Sequence, residues 1–190
     1  GKENCMRNWT GVLAVVVLFT AAFACSMDET SKANDLVKEA NTFITAGNDI
    51  ATKAEDLGGK LDGKLDNVKD KSDLEDARSM AKDLGKMYDD LGDNFKKAGD
   101  KFTEASKLKI NDKFKEYLET KAKEFSTRHD YSVELKKIPQ KLIDSDSETE
   151  YRSLYKDQME KVQSMLKDAK DLSDKADKIV KDNPDVMKGS

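Results

Sequence analysis

Histidine, proline, tryptophan and cysteine are all rare in this 190-residue chain, which has one His, two Pro, one Trp and two Cys. A zinc site needs three or four nitrogen or sulfur ligands, and a di-iron helical bundle needs paired Glu-x-x-His motifs. P-loop, Gly-x-Ser-x-Gly and Gly-x-Gly-x-x-Gly motifs are also missing. We therefore predict no enzyme activity, no metal site and no cofactor, and we expect His129 on the surface or in a loop.

Blocks of basic residues are missing too, although 38% of the residues are charged and the net charge is −4. Affinity for nucleic acid comes largely from neutralised phosphates, so this composition argues against a nucleic-acid partner. High charge with only 7% aromatic residues would fit a disordered chain. The apolar residues recur too regularly for that, and they predict helices.

Only one long apolar run is present, the 14 residues from Gly11 to Ala24, and it stops at Cys25. A membrane-spanning helix needs about 20 apolar residues, whereas the apolar region of a secretory signal has roughly 7–15. Met6 and Arg7 precede the run and supply a start and a positive charge. Residues 1–24 are therefore predicted to be a signal peptide, with residues 1–5 as an upstream extension.

The sequence Ala22-Phe23-Ala24-Cys25 resembles the lipobox of bacterial lipoproteins, in which a peptidase cuts before a cysteine that carries diacylglycerol on its sulfur. The resemblance covers residues 6–26, and Ala22 and Phe23 depart from the usual leucine and small residue. It implies lipidation of Cys25 and export to the bacterial cell envelope, anchored in the outer membrane and facing the periplasm or the surface. Ordinary cleavage at the A-x-A site and an uncleaved short anchor are the alternatives.

Apolar residues recur at alternating spacings of three and four along three segments of the mature chain. Such spacing over four or more heptads is typical of helices that pack with a left-handed supercoil. The three series run from Leu36 to Val68, from Leu74 to Ala105 and from Tyr151 to Ile179.

The helix boundaries are marked by polar residues. Capping boxes at Ser72–Glu75 and Ser147–Glu150 predict two helix starts, and Asn183-Pro184 predicts the last helix end. The segment from Ile110 to Ile143 is less regular, because Ser126–Asp130 interrupts the pattern and Pro139 kinks or ends a helix.

These patterns predict an all-α protein with an elongated antiparallel helical bundle and coiled-coil-like packing. The alternatives are a four-helix up-down-up-down bundle and three long helices with one broken segment. The predicted organisation is residues 25–33 as lipid attachment and tether, 34–182 as the bundle and 183–190 as a C-terminal tail.

Three glycines, Gly85, Gly92 and Gly99, lie seven residues apart in the second series. Each glycine inside a helix costs about 1 kcal/mol relative to alanine, so this register suggests a purpose. One interpretation is close packing of a neighbouring helix; the other is a groove for an outside helix or an apolar ligand. Together with Tyr117 and Tyr131, expected to be exposed, these glycines form the candidate interaction stripe.

Three functions remain open from the sequence. The first is a lipid-anchored structural or interaction module of the cell envelope, which acts as a scaffold, docks a protein partner or self-associates. The alternative is a binder of an apolar small molecule or lipid between helices. A stress-protective chain rich in Lys, Asp and Ala, disordered when alone in water, is a further candidate.

Overall fold

The computed structural model describes residues 29–145 and 148–186, which form four helices and no strand. In chain order the helices are α1 Thr30–Leu65, α2 Lys71–Ser106, α3 Asp112–Asp144 and α4 Glu148–Asp182. The prediction of an all-α bundle is confirmed. At 1.5 Å per residue, α1 and α2 are each about 54 Å long.

Neighbouring helices run antiparallel, and their ion pairs show it. Near the start of α1, Lys101 Nζ lies 2.7 Å from Glu39 Oε2, and near its end Lys64 Nζ lies 3.0 Å from Asp73 Oδ1. The extensive contacts join α1 to α2, α2 to α3, and α3 to α4. Consequently α2 and α3 are the inner helices of the bundle, and α1 and α4 each pack extensively on one neighbour.

The start of α2 differs from the prediction, because Asp70 rather than Ser72 caps the helix. Asp70 has extended backbone angles (φ −146°, ψ 179°), and its side chain accepts a 3.0 Å hydrogen bond from the Asp73 N–H. An aspartate that accepts from the third residue after it satisfies a backbone donor that has no partner within the helix. The second predicted capping box begins at Ser147, which lies outside the described residues.

The third helix is continuous, so the structure shows the four-helix alternative and not three long helices with one broken segment. Asn111 caps it by accepting a 2.8 Å hydrogen bond from the Phe114 N–H. Pro139 lies inside the helix and is buried near its end. The polar residues that interrupt the apolar pattern are compatible with a helix, because Thr127 Oγ1 and Ser132 Oγ donate to carbonyl oxygens four residues earlier.

The remaining boundaries lie close to the predicted ones. Helix α1 begins at Thr30, four residues before the predicted start of the bundle at residue 34, and α4 ends at Asp182, as Asn183-Pro184 predicts. The predicted tail is not entirely free of the bundle. Val186 is buried and belongs to the core.

The core has two clusters along the length of the bundle. The proximal cluster lies near the start of α1 and is built around four phenylalanines, Phe95, Phe102, Phe114 and Phe125. The distal cluster lies near the end of α1 and contains smaller aliphatic residues, with members on all four helices: Ala54, Leu61, Leu65, Ala77, Ala81, Leu84, Leu135, Ile138, Leu142 and Val162. Tyr88 packs against both clusters.

Candidate interaction surface and anchored end

The glycine register of α2 is covered by α3. A Cβ atom added at Gly92 would lie 3.3 Å from His129 Nδ1 and 3.4 Å from Ser132 Cβ, and one at Gly99 would lie 3.5 Å from Phe125 Cβ. A Cβ at Gly85 would meet no atom within 4 Å, although this glycine is also buried. The geometry therefore supports close packing of α2 and α3 and leaves Gly92 and Gly99 no room for an outside helix.

His129 lies within α3 and is partly buried, so its expected placement on the surface or in a loop is wrong. Its Nδ1 atom lies 3.1 Å from the carbonyl oxygen of Gly92. With the proton on Nδ1, the imidazole donates to that carbonyl across the α2–α3 contact. The absent side chain at Gly92 gives the ring this close approach to the α2 backbone.

Tyr117 and Tyr131 are partly buried, whereas the sequence predicted exposed rings. Tyr117 stacks on Phe114 with ring centroids 6.3 Å apart, and Tyr131 packs against the distal cluster. Burial is the main cause that raises the pKa of both phenols above the ordinary value. The two tyrosines therefore support the bundle itself, and neither is a free docking ring.

Glu124 on α3 carries a buried carboxylate that the sequence did not predict as a site residue. Glu124 is 1% exposed; its side chain accepts hydrogen bonds from Lys121 Nζ and, at 2.8 Å, from Arg128 Nε. The ammonium of Lys121 also lies 5.0 Å from the centroid of the Phe125 ring. The spacing of three and four residues is the sequence signal for this cluster, but exposed faces of helices carry the same spacing.

A second carboxylate, Glu134, joins α3 to α4. It accepts hydrogen bonds from Lys137 Nζ at 2.7 Å and from Gln158 Nε2, and Lys161 Nζ lies 3.0 Å away. The hydrogen bond from Lys137 is the largest cause that lowers the Glu134 pKa, Lys161 and Gln158 add to it, and burial opposes them. The net result is a pKa of about 2, so the Glu134 carboxylate is charged at neutral pH.

The chain enters the bundle beside the turn between α2 and α3, which spans residues 107–111. The Glu29 N–H donates to the Lys109 carbonyl oxygen at 2.9 Å, and Glu29 Oε2 accepts from the Lys109 N–H at 2.9 Å. Asn111 Nδ2 donates to the Val186 carbonyl oxygen at 2.9 Å, so the last described residue returns to the same place. Because these hydrogen bonds fix both ends of the described chain to the turn, we call this region, residues 29–33, 103–115 and 179–186, the anchored end.

Apolar side chains on α3 and α4 remain exposed. Val133 is 45% exposed on α3, and Tyr155 and Leu166 are 37% and 44% exposed on α4. These three side chains, and not the predicted stripe, are therefore the candidate interaction residues. The sequence did not single them out, because only the packing order of the helices decides which apolar residues stay uncovered.

Among residues 29–145 and 148–186, no group of three or more His, Cys, Asp or Glu side chains is placed to hold a metal ion. None of the four helices has an apolar stretch that would cross a membrane. Cys25 and the apolar run before it lie outside the described residues.

Comparisons with protein-family models, curated proteins and solved structures find no match to this chain.

Proposed function

We propose that this protein is a non-enzymatic, lipid-anchored helical bundle of the bacterial cell envelope that acts as a scaffold or docks a partner. The observation that carries the proposal is the apolar run that ends at Cys25, followed after only three residues by the start of the bundle at Glu29. Lipid on Cys25 would attach the bilayer directly to a folded body.

The build of the bundle supports a spacing role. Helices of about 54 Å joined by short turns make a rod whose ends are far apart. Both the chain entry at Glu29 and the chain exit at Val186 are hydrogen-bonded to the turn between α2 and α3. A partner bound along the rod would therefore sit at a defined distance from the anchor.

The exposed apolar side chains support a docking role. Val133, Tyr155 and Leu166 keep more than a third of their surface in water. Burying apolar surface against a partner contributes about 25 cal/mol per Å² to binding. Lipid between the helices receives less support, because α3 fills the space beside Gly92 and Gly99.

Mass spectrometry of the mature N-terminus in a bacterial host tests the anchor. The wild-type chain is expected to begin at Cys25 and to carry the mass of diacylglycerol, and Cys25→Ser is expected to carry no lipid mass. A wild-type N-terminus at Cys25 without acyl mass, or one at another residue, would overturn the proposal.

Site-specific photocrosslinking in intact cells tests docking. A crosslinker at Val133 or Leu166 is expected to give one discrete adduct, because both side chains are exposed and apolar. The matched control is Gly59, which is exposed and has no atom near its Cβ position. Equal adducts at all three positions, or adducts at none, would count against a docking surface here.

A further inference from the structure

We propose that the anchored end faces the anionic phospholipid headgroups of the membrane, so that the bundle stands upright on the bilayer with its opposite end turned away. This inference rests on the proposed lipid anchor at Cys25. It adds an orientation and a lipid contact that the anchor alone does not require.

The first step is the length of the tether. Three residues separate Cys25 from Glu29, and four steps along an extended chain span about 14 Å at most. Because Glu29 is hydrogen-bonded to Lys109 through both its N–H and its carboxylate, the turn between α2 and α3 shares this limit. The anchored end therefore stays close to the acylated cysteine.

The second step is what the anchored end presents to the bilayer. Lys107, Lys109 and Lys115 are exposed there, and Lys113 is exposed beside Glu116. Leu108 and Ile110 alternate with the first two lysines and pack against the proximal cluster. The apolar pair holds the turn against the bundle, so the lysines project from a fixed backbone.

The third step is the distribution of charge along the rod. The turn between α2 and α3, taken with four helical residues on each side, has a net charge of +2, and the adjoining residues 29–33 and 179–186 bring the anchored end to +1. Asp28 in the tether lowers this sum to 0. Counted in the same way, the turn between α1 and α2 has −1 and the turn between α3 and α4 has −3. The opposite end therefore has −4.

An anionic surface attracts basic residues within about one Debye length, roughly 8–10 Å at physiological salt. It also repels carboxylates, so both ends of the rod favour the same upright orientation. The overall charge of −4 hides this asymmetry, since it does not tell where along the rod the excess of acidic residues lies.

Energy transfer from a fluorophore on the far end tests the orientation. The acylated full-length protein carries the label at Asn67→Cys, an exposed position in the turn between α1 and α2, and the vesicles carry an acceptor lipid. One set contains phosphatidylcholine only, and the other contains phosphatidylglycerol in addition. With helices of about 54 Å, an upright rod is expected to show roughly twofold lower transfer in the anionic vesicles than in the neutral ones.

Two charge variants complete the test. Lys107→Glu/Lys115→Glu is expected to abolish the difference in energy transfer between anionic and neutral vesicles. High salt should abolish the same difference for the wild-type protein. Lys82→Glu/Lys86→Glu changes the net charge equally at exposed positions of α2 outside the anchored end and should keep the difference. Circular dichroism verifies that both variants are as helical as the wild type.

The outcomes separate the two proposals. Acyl mass on Cys25 with equal transfer in both vesicle types overturns the upright orientation and leaves the anchor intact. Loss of the difference in both charge variants overturns the role of the turn lysines. An absence of acyl mass overturns the proposed function itself, and the orientation with it.

Discussion

The two faces of α3 contact their neighbouring helices through different chemistry. Toward α2, the Phe125 ring is stacked on Phe102 and tilted against Phe95, with ring centroids 5.7 Å apart in both pairs. Glycines of α2 admit a close backbone approach. Toward α4, the buried apolar side chains that the structure describes on the partner helix are aliphatic and none is aromatic: Val162, Ala169, Ala176 and Ile179. Glu134 adds an ion pair with Lys161 and a hydrogen bond from Gln158 to this contact.

This difference shows where the stability of the bundle is concentrated. Apolar burial contributes about 25 cal/mol per Å², and a phenylalanine buries far more area than an alanine. An ion pair at a partly exposed site contributes on the order of 1 kcal/mol or less. We therefore expect α1, α2 and α3 to form the stable body and α4 to be the first helix to open.

Removing a ring from the α2–α3 contact should have the largest effect. Phe102 is fully buried, and Phe102→Ala is expected to lower the free energy of unfolding by about 3–5 kcal/mol. Val162→Ala on α4 removes two methyl groups and should cost about 1–2 kcal/mol. Urea unfolding followed by circular dichroism measures both free energies. Equal losses would contradict the expectation that the α2–α3 contact contributes more stability than the α3–α4 contact.

A methyl group at the α1–α2 contact should have the next largest effect. A Cβ at Gly47 would lie 2.8 Å from Cε1 of Phe95, whose ring is fixed in the proximal cluster. We expect Gly47→Ala to destabilise the bundle by about 1–3 kcal/mol through overpacking. Gly59→Ala is the matched control because no atom lies near its Cβ position, and an unchanged midpoint for Gly47→Ala would place the tight contact elsewhere.

Acid should weaken the α3–α4 contact through Glu134. Its pKa is lowered from 4.5 to about 2 in the folded state, so its contribution is fully present above pH 4.5. The contribution is lost as the pH falls from about 4.5 toward 2. The protection factors of α4 amides, which are corrected for the intrinsic pH dependence of exchange, should therefore fall in this range. Glu134→Gln, which costs on the order of 1 kcal/mol, should flatten the dependence. The same acid response in both proteins would exclude Glu134 as the cause.

The smallest expected effect is a gain in stability. Gly85 lies on α2 with no atom within 4 Å of its Cβ position, so Gly85→Ala is expected to stabilise the helix by up to about 1 kcal/mol. Gly92→Ala shares the helix propensity gain but places its methyl 3.3 Å from His129 Nδ1. Thermal unfolding of the two variants should therefore differ, and an equal gain would show that α3 yields easily at Gly92.

The heptad spacing was sufficient to predict the helices and the all-α bundle, because burial of a regular apolar stripe governs both. It did not predict that α3 continues through Ser126–Asp130, because the polar residues there interrupt the apolar periodicity without ending the helix. Thr127 donates to a carbonyl oxygen of its own helix, and His129 contacts the α2 backbone. Asp70 was missed as a cap because Ser72 begins a competing motif. The exposed side chains depend on packing order, which periodicity does not encode.

The hydrogen bonds of Glu29 also have a mechanical consequence. A force applied between this residue and the turn after α1 acts along the axis of α1, so all its contacts with α2 are loaded together in shear. A force applied between Glu29 and Val186 pulls instead at neighbouring points of one end and can peel the outer helices away turn by turn. The bundle is thus built to resist stretching along its length better than separation of its two termini.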